Sequence, residues 1–483
     1  MELMEKITSL SKRRGFVFPG SEIYGGLEST WDYGPLGVLL KNNVKAAWWK
    51  AVVQQRDDMV GLDASILMHP TVWEASGHVE GFSDPMVDCK QCKKRFRADD
   101  LEENKCPECG GEFTEVRKFN LMFKTFMGPV EDQAAVVYMR PETAQGIFVN
   151  FKNVLNVARK KLPFGIAQIG KAFRNEITPG KFTFRTREFE QMEIEYFVNP
   201  NKLTECPFIE EFLDYELIVY SAQMQDKKET PQKMKIKELI QKEIIKTKWH
   251  AYWLAFEHKW FTSLGAKADN FRIRQHLQKE KSHYALDTWD LEYKFPFGWK
   301  ELEGLANRTD FDLNQHIKHS KTDLSLFDEE TKKKIIPHVI CEPSLGVERS
   351  FLVFMFDSYE NDPLRNNVVL KLSPKLAPVK VAIFPLASNK EDVVNKAKEV
   401  FDILKKEFAC QFDRSGSIGR RYARQDEIGT PYCITIDFES LKDNKCTIRD
   451  RDSTKQVRIE IDKITELIKR LLNTELSFNE LGD

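Results

Sequence analysis

The spacing of apolar positions changes several times along the chain, and each change marks an element. In "PLGVLLKNNVKAAWWKAVVQQ" (35–55) they recur at three and four, which predicts a long amphipathic helix. "MVGLDASILMHP" (59–70) follows as a strand closed by Pro70, since proline ends a ladder it cannot join. "AVVYMRPETAQGIF" reads as further strand. "AFRNEITPGKFTFRTREFEQMEIEYF" (172–197) alternates on both sides of Thr178-Pro179-Gly180-Lys181 and predicts a hairpin with its turn there. Period two puts Arg174 and Glu176 on one face of the first strand. On the second, Arg185, Arg187, Phe189, Gln191 and Glu193 share a face backed by Phe184, Met192, Ile194 and Tyr196.

From about 201 to 281 the pattern becomes helical and charged, and the Lys-rich stretch 226–248 reads as a solvated helix on an insertion. Strands and a helix return in "PFGWKELEGLANRTDFDL" and "IPHVICEPSLGVERSFLVFMF". Pro374 and Pro378 then flank a short linker. Beyond it, "VKVAIFPL", "ACQFD", "PYCITID", "KCTIRD" and "QVRIEI" alternate with helical stretches, which predicts a small separate α/β domain at 374–483.

Composition narrows the class. The chain has 483 residues, 41% hydrophobic and 30% charged, as in multidomain globular proteins. A formal net charge of -1 gives no global basic field, so a nucleic-acid partner would be held by local patches. Neither a signal-peptide core nor an apolar run of membrane-spanning length is seen, which predicts a chain of the reducing cytoplasm with no membrane partner. The nine cysteines fit that setting, since five of them (Cys206, Cys341, Cys410, Cys433 and Cys446) stand singly.

The other four make C-x2-C-x13-C-x2-C with Cys89, Cys92, Cys106 and Cys109. Two tight turns that each present two thiolates complete the tetrahedron zinc prefers, so the 88–116 insert reads as a zinc-ribbon-like module with a closed, structural site. In the hairpin, arginines beside an aromatic suit a nucleotide, because the guanidinium forks onto phosphate and the ring offers a flat surface to a base. Gly346 bends the chain into an apolar helix whose first turn contains Arg349. A cation there opposes the helix dipole by roughly 0.3–1 kcal/mol, so an anion or a π-surface should favour it. Glu142, Glu193 and Glu342, from separate strands, can converge on an ammonium group; without a cation such a cluster is costly.

These segments together resemble the class II aminoacyl-tRNA synthetases, and within them the homodimeric glycyl-tRNA synthetase family, over nearly the whole chain. The 35–70 helix and strand are similar to the family's motif 1, "FRNE…FRTREF" to motif 2 and "GVERSFL" to motif 3. The glycyl branch is carried by "GFVFPGSEIYGGLESTWDYGPLG", "RPETAQGIF", "FEQMEIEYF" and "CEPSLG". The resemblance implies an antiparallel-sheet catalytic domain over 1–373 and an anticodon-binding α/β domain behind it. It also implies a homodimer that activates glycine with ATP and magnesium and passes it to tRNA(Gly).

Site residues follow from the matched motifs. The resemblance gives Arg174, Asn175 and Glu176 the α-phosphate and adenine. It gives Phe184, Arg185, Thr186, Arg187, Glu188 and Phe189 the rest of the nucleotide, with Arg185 or Arg187 on the outer phosphates. Phe189 and Arg349 would sandwich the adenine, and Arg174 and Arg349 would be the catalytic pair. Glu301 and Leu302 match an ATP segment, Glu301 as magnesium ligand, and Gly346, Val347 and Glu348 complete the nucleotide site. Glu142, Glu190, Gln191, Met192 and Glu193 would form the glycine pocket with Glu342, Pro343, Ser344, Leu345 and Gly346. Phe189 borders it, and Arg97 matches a further substrate position. Glu348 stands where relatives often have Asp. Three alternatives stay open: another class II synthetase of threonyl, seryl or prolyl type, a synthetase-derived nucleic-acid-binding subunit without activity, or a zinc-ribbon nucleic-acid module, which would account only for the 88–116 insert. Retention of Arg174, Glu176 and Phe189 argues against the second.

Overall fold

The computed structural model describes residues 2–98, 101, 103–132, 135–280 and 285–482. Positions 99, 100 and 102 of the cysteine insert and position 281, where the 201–281 span ends, lie outside the described residues. A nine-stranded sheet organises the first part of the chain. Its strands are β1 (Met59–Leu62), β2 (Phe164–Phe173), β3 (Glu188–Val198), β4 (Glu216–Tyr220), β5 (Gln232–Lys235), β6 (Phe271–Gln275), β7 (Asp287–Phe295), β8 (Gly298–Asn307) and β9 (His338–Gly346). They lie in the order β5-β4-β6-β7-β8-β9-β3-β2-β1. Most neighbours are antiparallel, but β1 runs parallel to β2 and β4 parallel to β6. The expected antiparallel sheet is therefore mixed, because both parallel strands enter by long crossovers instead of hairpins.

Four helices matter to the site: α1 (Pro35–Trp49), α2 (Ala144–Ala158), α3 (Lys248–Ser263) and α4 (Val347–Ser358). The predicted 35–55 helix is observed, as α1 followed by a π turn over Lys50–Gln54. Its buried Leu36, Leu40, Val44, Trp48 and Val52 keep a spacing of four, one face toward the core. Gly37 permits that approach, since a Cβ there would sit 1.8 Å from the Phe16 carbonyl oxygen. Helix α3 covers the rear of the sheet with Trp249 and Trp253 wholly buried, and α4 adds Phe351, Leu352 and Met355 to the same core.

Several expectations change. The strand beginning at Met59 stops at Leu62, and Pro70 starts the turn into Thr71–Ala75 instead of closing a strand. In "AVVYMRPETAQGIF" only Val136–Tyr138 is strand. "AQGIF" opens α2, because Ala144, Ile147, Phe148 and Phe151 are buried at helical spacing. Segment 201–281 is not a helical appendage but supplies β4, β5 and β6 to the main sheet and α3 to its core. Within its Lys-rich part, Gln232–Lys235 is strand, and Ile236, Leu239 and Ile245 are buried; lysines between them masked the apolar period.

Beyond the linker, five strands order as Cys410–Phe412, Val381–Pro385, Tyr432–Ile436, Lys445–Asp450 and Gln456–Glu460, with their own core beneath helices Glu391–Leu404 and Ile464–Leu472. This is the predicted α/β unit. The linker itself is held: Leu376 and Ala377 are buried, and both their carbonyls accept from Asn43 at 3.0 Å. No helix among the described residues is long and apolar enough to cross a membrane.

Candidate active site

The motifs meet on the front face of the sheet, around a cavity of about 760 Å³ lined from β3, β7, β8, β9, the 174–187 connection and the start of α4. Strands β2 and β3 pair antiparallel as expected, with Glu188 opposite Phe173. The turn is longer than the sequence suggested. Residues 174–187 leave the ladder after Arg174 N donates to the Arg187 carbonyl at 2.9 Å. Only a single bridge, Gly180 with Arg185, persists inside the loop. Its tip folds inward because Phe182 packs edge-on against Trp31 with centroids 4.8 Å apart. Arg174, Glu176, Arg185 and Arg187 are thus loop residues, not strand-face residues.

Arg174, Glu176 and Arg185 all line the cavity. Arg174 is aimed by its Nε, which donates to the Pro141 carbonyl at 2.9 Å, and its guanidinium lies 5.2 Å over the Phe189 ring and 5.4 Å over Phe82. Arg185 forks onto Glu176, with Nε and Nη2 each 2.8 Å from Oε2. Arg187 turns away, donating to the Glu28 carbonyl at 2.9 Å. Asn175 is tied through its N–H to Leu121, and Thr186 lies at the cavity wall.

The bend at Gly346 into α4 is observed, with Arg349 in the first turn. Its guanidinium lies 4.6 Å over Phe184 and donates to the Glu301 carbonyl at 2.8 Å, with the Glu301 carboxylate 3.6 Å away. Arg349 therefore stacks on Phe184, while Phe189 faces Arg174. Leu302, Leu345 and Gly346 line the same wall. Glu301, whose side chain is half exposed, is held below the ordinary carboxylate range: partial desolvation pushes it up, and Arg349, Arg174 and His276 outweigh this.

At the other end, carboxylates do converge. Glu193 accepts from Ser344 Oγ at 2.7 Å and from the Thr143 hydroxyl. Gln191 Nε2 donates to Ser344 Oγ at 3.2 Å. Glu342 accepts from Arg308 Nη1 at 2.7 Å, and Glu142 from Gln145 Nε2 at 3.1 Å with His78 Nε2 at 3.4 Å. Burial pushes Glu142 up, but His78, Arg308 and the Gln145 hydrogen bond hold it well below its usual value. Glu193 is raised, first by burial and then by Glu142. Glu342 is pushed up to about 8 by burial, against Arg308. Arg308 is the hub; it also forks onto Asp312 at 2.7 and 2.8 Å.

Strand alternation removes some candidates from this face. Met192 and Val347 are core residues, and Glu188 points outward to Lys171. Glu190 turns toward α1, where Lys41 and Lys45 each approach it to 2.9 Å. Glu348 lies at the cavity edge but accepts from Lys41 Nζ at 2.7 Å and from the Glu190 N–H at 2.9 Å, a bracket that fixes α4 on α1. Pro343 lies on β9 between Glu342 and Ser344 without lining the cavity. Arg97 ion-pairs with Asp84 at 3.2 Å on the small sheet of Ser83–Asp88, Arg95–Arg97 and Arg117–Asn120, outside the cavity wall.

Sequence reasoning missed His78, Thr143, Arg308 and Asp312. Only Arg308 with Asp312, an Arg–Asp pair four apart, carried a local signal.

The four insert cysteines bring their sulfurs within 4.8 Å of one another. Backbone N–H groups of Cys92 and Gln91 lower Cys89 to about 6. Cys109 is pushed up to about 12, because the neighbouring thiols outweigh the Gly111 N–H. Four thiolates this close ionise together only around a cation, so the residues fit zinc.

Comparison with known proteins agrees in extent. The tRNA synthetase class II core domain (G, H, P, S and T) matches residues 129–359, and an anticodon binding domain matches 380–471. A glycine–tRNA ligase of Acetivibrio thermocellus is 51% identical, over 95% of this chain and 96% of that protein. One from Caldanaerobacter subterraneus is 49% identical over 97% and 98%, and one from Thermobifida fusca is 48% identical over 98% of each.

Proposed function

The chain belongs to the glycine–tRNA ligase family of class II synthetases, and from that premise we propose how its cleft is used. The enzyme activates glycine with ATP and transfers the glycyl group to tRNA. The observation that carries the site assignment is the pairing, within one cavity, of an arginine-and-aromatic end with a carboxylate end.

At the carboxylate end, Glu142, Glu193 and Glu342 hold the glycine ammonium. Glycine offers no side chain to grip, so the pocket selects by charge at one end and by lack of room for a larger residue. Exclusion by space can be strict, whereas sensing one absent methylene gains only about 10–200-fold. At the other end, Phe189 and Arg349 take the adenine. Arg174 leaves the Phe189 ring as the base arrives and moves onto the α-phosphate. Arg185 holds the outer phosphates, with Arg187 anchoring the loop to Glu28.

The glycine carboxylate attacks the α-phosphorus, the bond to the bridging oxygen breaks, and pyrophosphate leaves. Charge accumulates on the phosphate oxygens, where Arg174 acts as the preorganised donor. Glu301, at the cavity wall beside Arg349, suits a magnesium ligand; magnesium when bound draws charge from the phosphate oxygens. A hydroxyl of the terminal tRNA ribose then attacks the glycyl carbonyl, and AMP leaves.

Zinc would sit in the four-cysteine module as a structural ion. We also propose a cytoplasmic homodimer formed through the 35–70 segment, which leaves Val38, Leu39 and Leu67 partly exposed. The C-terminal domain would meet the anticodon arm. Its helix Ile418–Ile428 offers three arginines that could bind phosphates: Arg420 is exposed, whereas Arg421 is buried on the Gly416 carbonyl and Arg424 pairs with Asp413 at 2.6 Å. Pyrophosphate exchange across the twenty amino acids tests the assignment. Exchange is expected with glycine alone; equal exchange with serine, threonine or proline would overturn it.

A further inference from the structure

One carboxyl group of the glycine pocket has no part in that account. Glu195 is completely buried. The register of β3 on β9 sets Glu193 opposite Ser344 and Tyr196 opposite Cys341, which places Glu195 opposite Glu342 on the front face. Oxygens of Glu193, Glu195 and Glu342 lie within 4.8 Å of one another. Like charges directly opposed on paired strands repel, and burial makes the repulsion worse.

The hydrogen bonds show where a proton must be. Glu142 is met by Gln145 and His78, Glu193 by two hydroxyls, and Glu342 by Arg308. Asp312 takes the Nε and Nη2 groups of that guanidinium and a bond from Gln145 at 3.0 Å. Neither oxygen of Glu195 has a hydrogen-bond partner among the described residues. A buried carboxylate without a donor is the costliest ionised form available, whereas a carboxylic acid there is itself a donor facing acceptors.

We propose that Glu195 is a positioning residue that stays protonated and donates its O–H to the Glu342 carboxylate on the facing strand. Burial raises both carboxyls, so the facing pair shares one proton; Arg308 bonds Glu342 and not Glu195, which fixes one Glu342 rotamer and leaves the charge there for the incoming amino group. The inference rests on reading this pocket as the ammonium site. The groups facing Glu195 agree with it. Burial and then Glu342 push Glu195 well above the usual range, Glu193 and Asp312 add to this, and Arg308 pulls the other way but is already engaged by Glu342 and Asp312.

The test uses the full-length enzyme and the variants Glu195→Met, Glu195→Gln and Glu193→Gln, read by glycine-dependent pyrophosphate exchange and by infrared difference spectroscopy. Glu195→Met removes the donor and should raise the glycine KM about tenfold, the effect of one buried acceptor left unpaired, with the ATP KM unchanged. Glu195→Gln keeps a donor and should restore the glycine KM to within about threefold of the parent. Other buried carboxyls such as Glu257 contribute to parent and variant alike, so near neutral pH the parent-minus-variant difference spectrum should show one protonated-carboxyl band that Glu195→Gln has lost. Survival of that band in Glu195→Gln, or a glutamine as damaging as methionine, would overturn the proposal. Should the methionine variant not fold, the band still decides. If Glu193→Gln raises the glycine KM and Glu195→Met does not, only this inference fails; if Glu193→Gln leaves it unchanged, the ammonium site itself is misplaced.

Discussion

Replacing Glu193 by glutamine removes one charge from the pocket while keeping its shape. The Thr143 and Ser344 hydroxyls that fix the carboxylate can still bond an amide by reorienting. A carboxylate about 4 Å from an ammonium is worth about 4 kcal/mol at an effective dielectric of about 20. Two features of the structure reduce this. Burial and Glu142 already push Glu193 toward its protonated form, and its loss relieves repulsion with Glu142. A net loss of about 2–3 kcal/mol remains, which is about a 30- to 150-fold rise in the glycine requirement. The phosphate-binding arginines stand at the other end of the cavity, so the ATP KM should stay within about twofold. Pyrophosphate exchange at saturating ATP and then at saturating glycine separates the two. Parallel rises in both, or no change in the glycine KM of a folded variant, would refute the placement of the ammonium.

Arg174→Ala should leave the melting temperature close to the parent's, because the side chain lines an open cleft. It should slow adenylate formation by about 3–4 kcal/mol, as expected for losing a transition-state donor, and near-normal single-turnover rates would contradict its role. Elemental analysis should find one zinc per chain, sharply reduced in Cys89→Ser, with tRNA charging hurt more than glycine activation; iron in its place would contradict the metal assignment. On the rear of the sheet Glu257 and Glu303 are fully buried without hydrogen-bond partners among the described residues, and burial raises Glu257 from its ordinary 4.5 to about 8. The folded state keeps that proton while the unfolded chain releases it. Stability should therefore fall as pH rises from about 4.5 to about 8, by at most about 5 kcal/mol, and Glu257→Gln should flatten the profile; an unchanged slope would exclude Glu257 as its source.

What could be read from the sequence was what depends on local period and spacing. The cysteine spacing, the shared face of Phe189, Gln191 and Glu193, and the bend at Gly346 all follow from contacts within a few residues. Turn residues 178–181 marked a chain reversal but not its extent, because the loop is shaped by Phe182 reaching Trp31, far away in sequence. Lysines interspersed through 226–248 concealed a strand that buries only Met234 and a helix that buries Ile236 and Leu239. The hub of the pocket was least legible. The local Arg308–Asp312 pair, His78 and Thr143 come from three separate segments, and their meeting depends on the register of β8 on β9 and the start of α2. Arg349 and Phe189, expected to sandwich the adenine, both line the cavity, but the groups they face, Phe184 and Arg174, depend on the loop path.

The most direct measurement of the central claim is a crystal structure with a non-hydrolysable glycyl-adenylate analogue. The analogue's ammonium should lie among Glu142, Glu193 and Glu342, its phosphate on Arg174, and its adenine between Phe189 and Arg349, with Arg174 displaced from the Phe189 ring. An analogue bound in the reverse sense, or an ammonium held away from these three carboxylates, would contradict it.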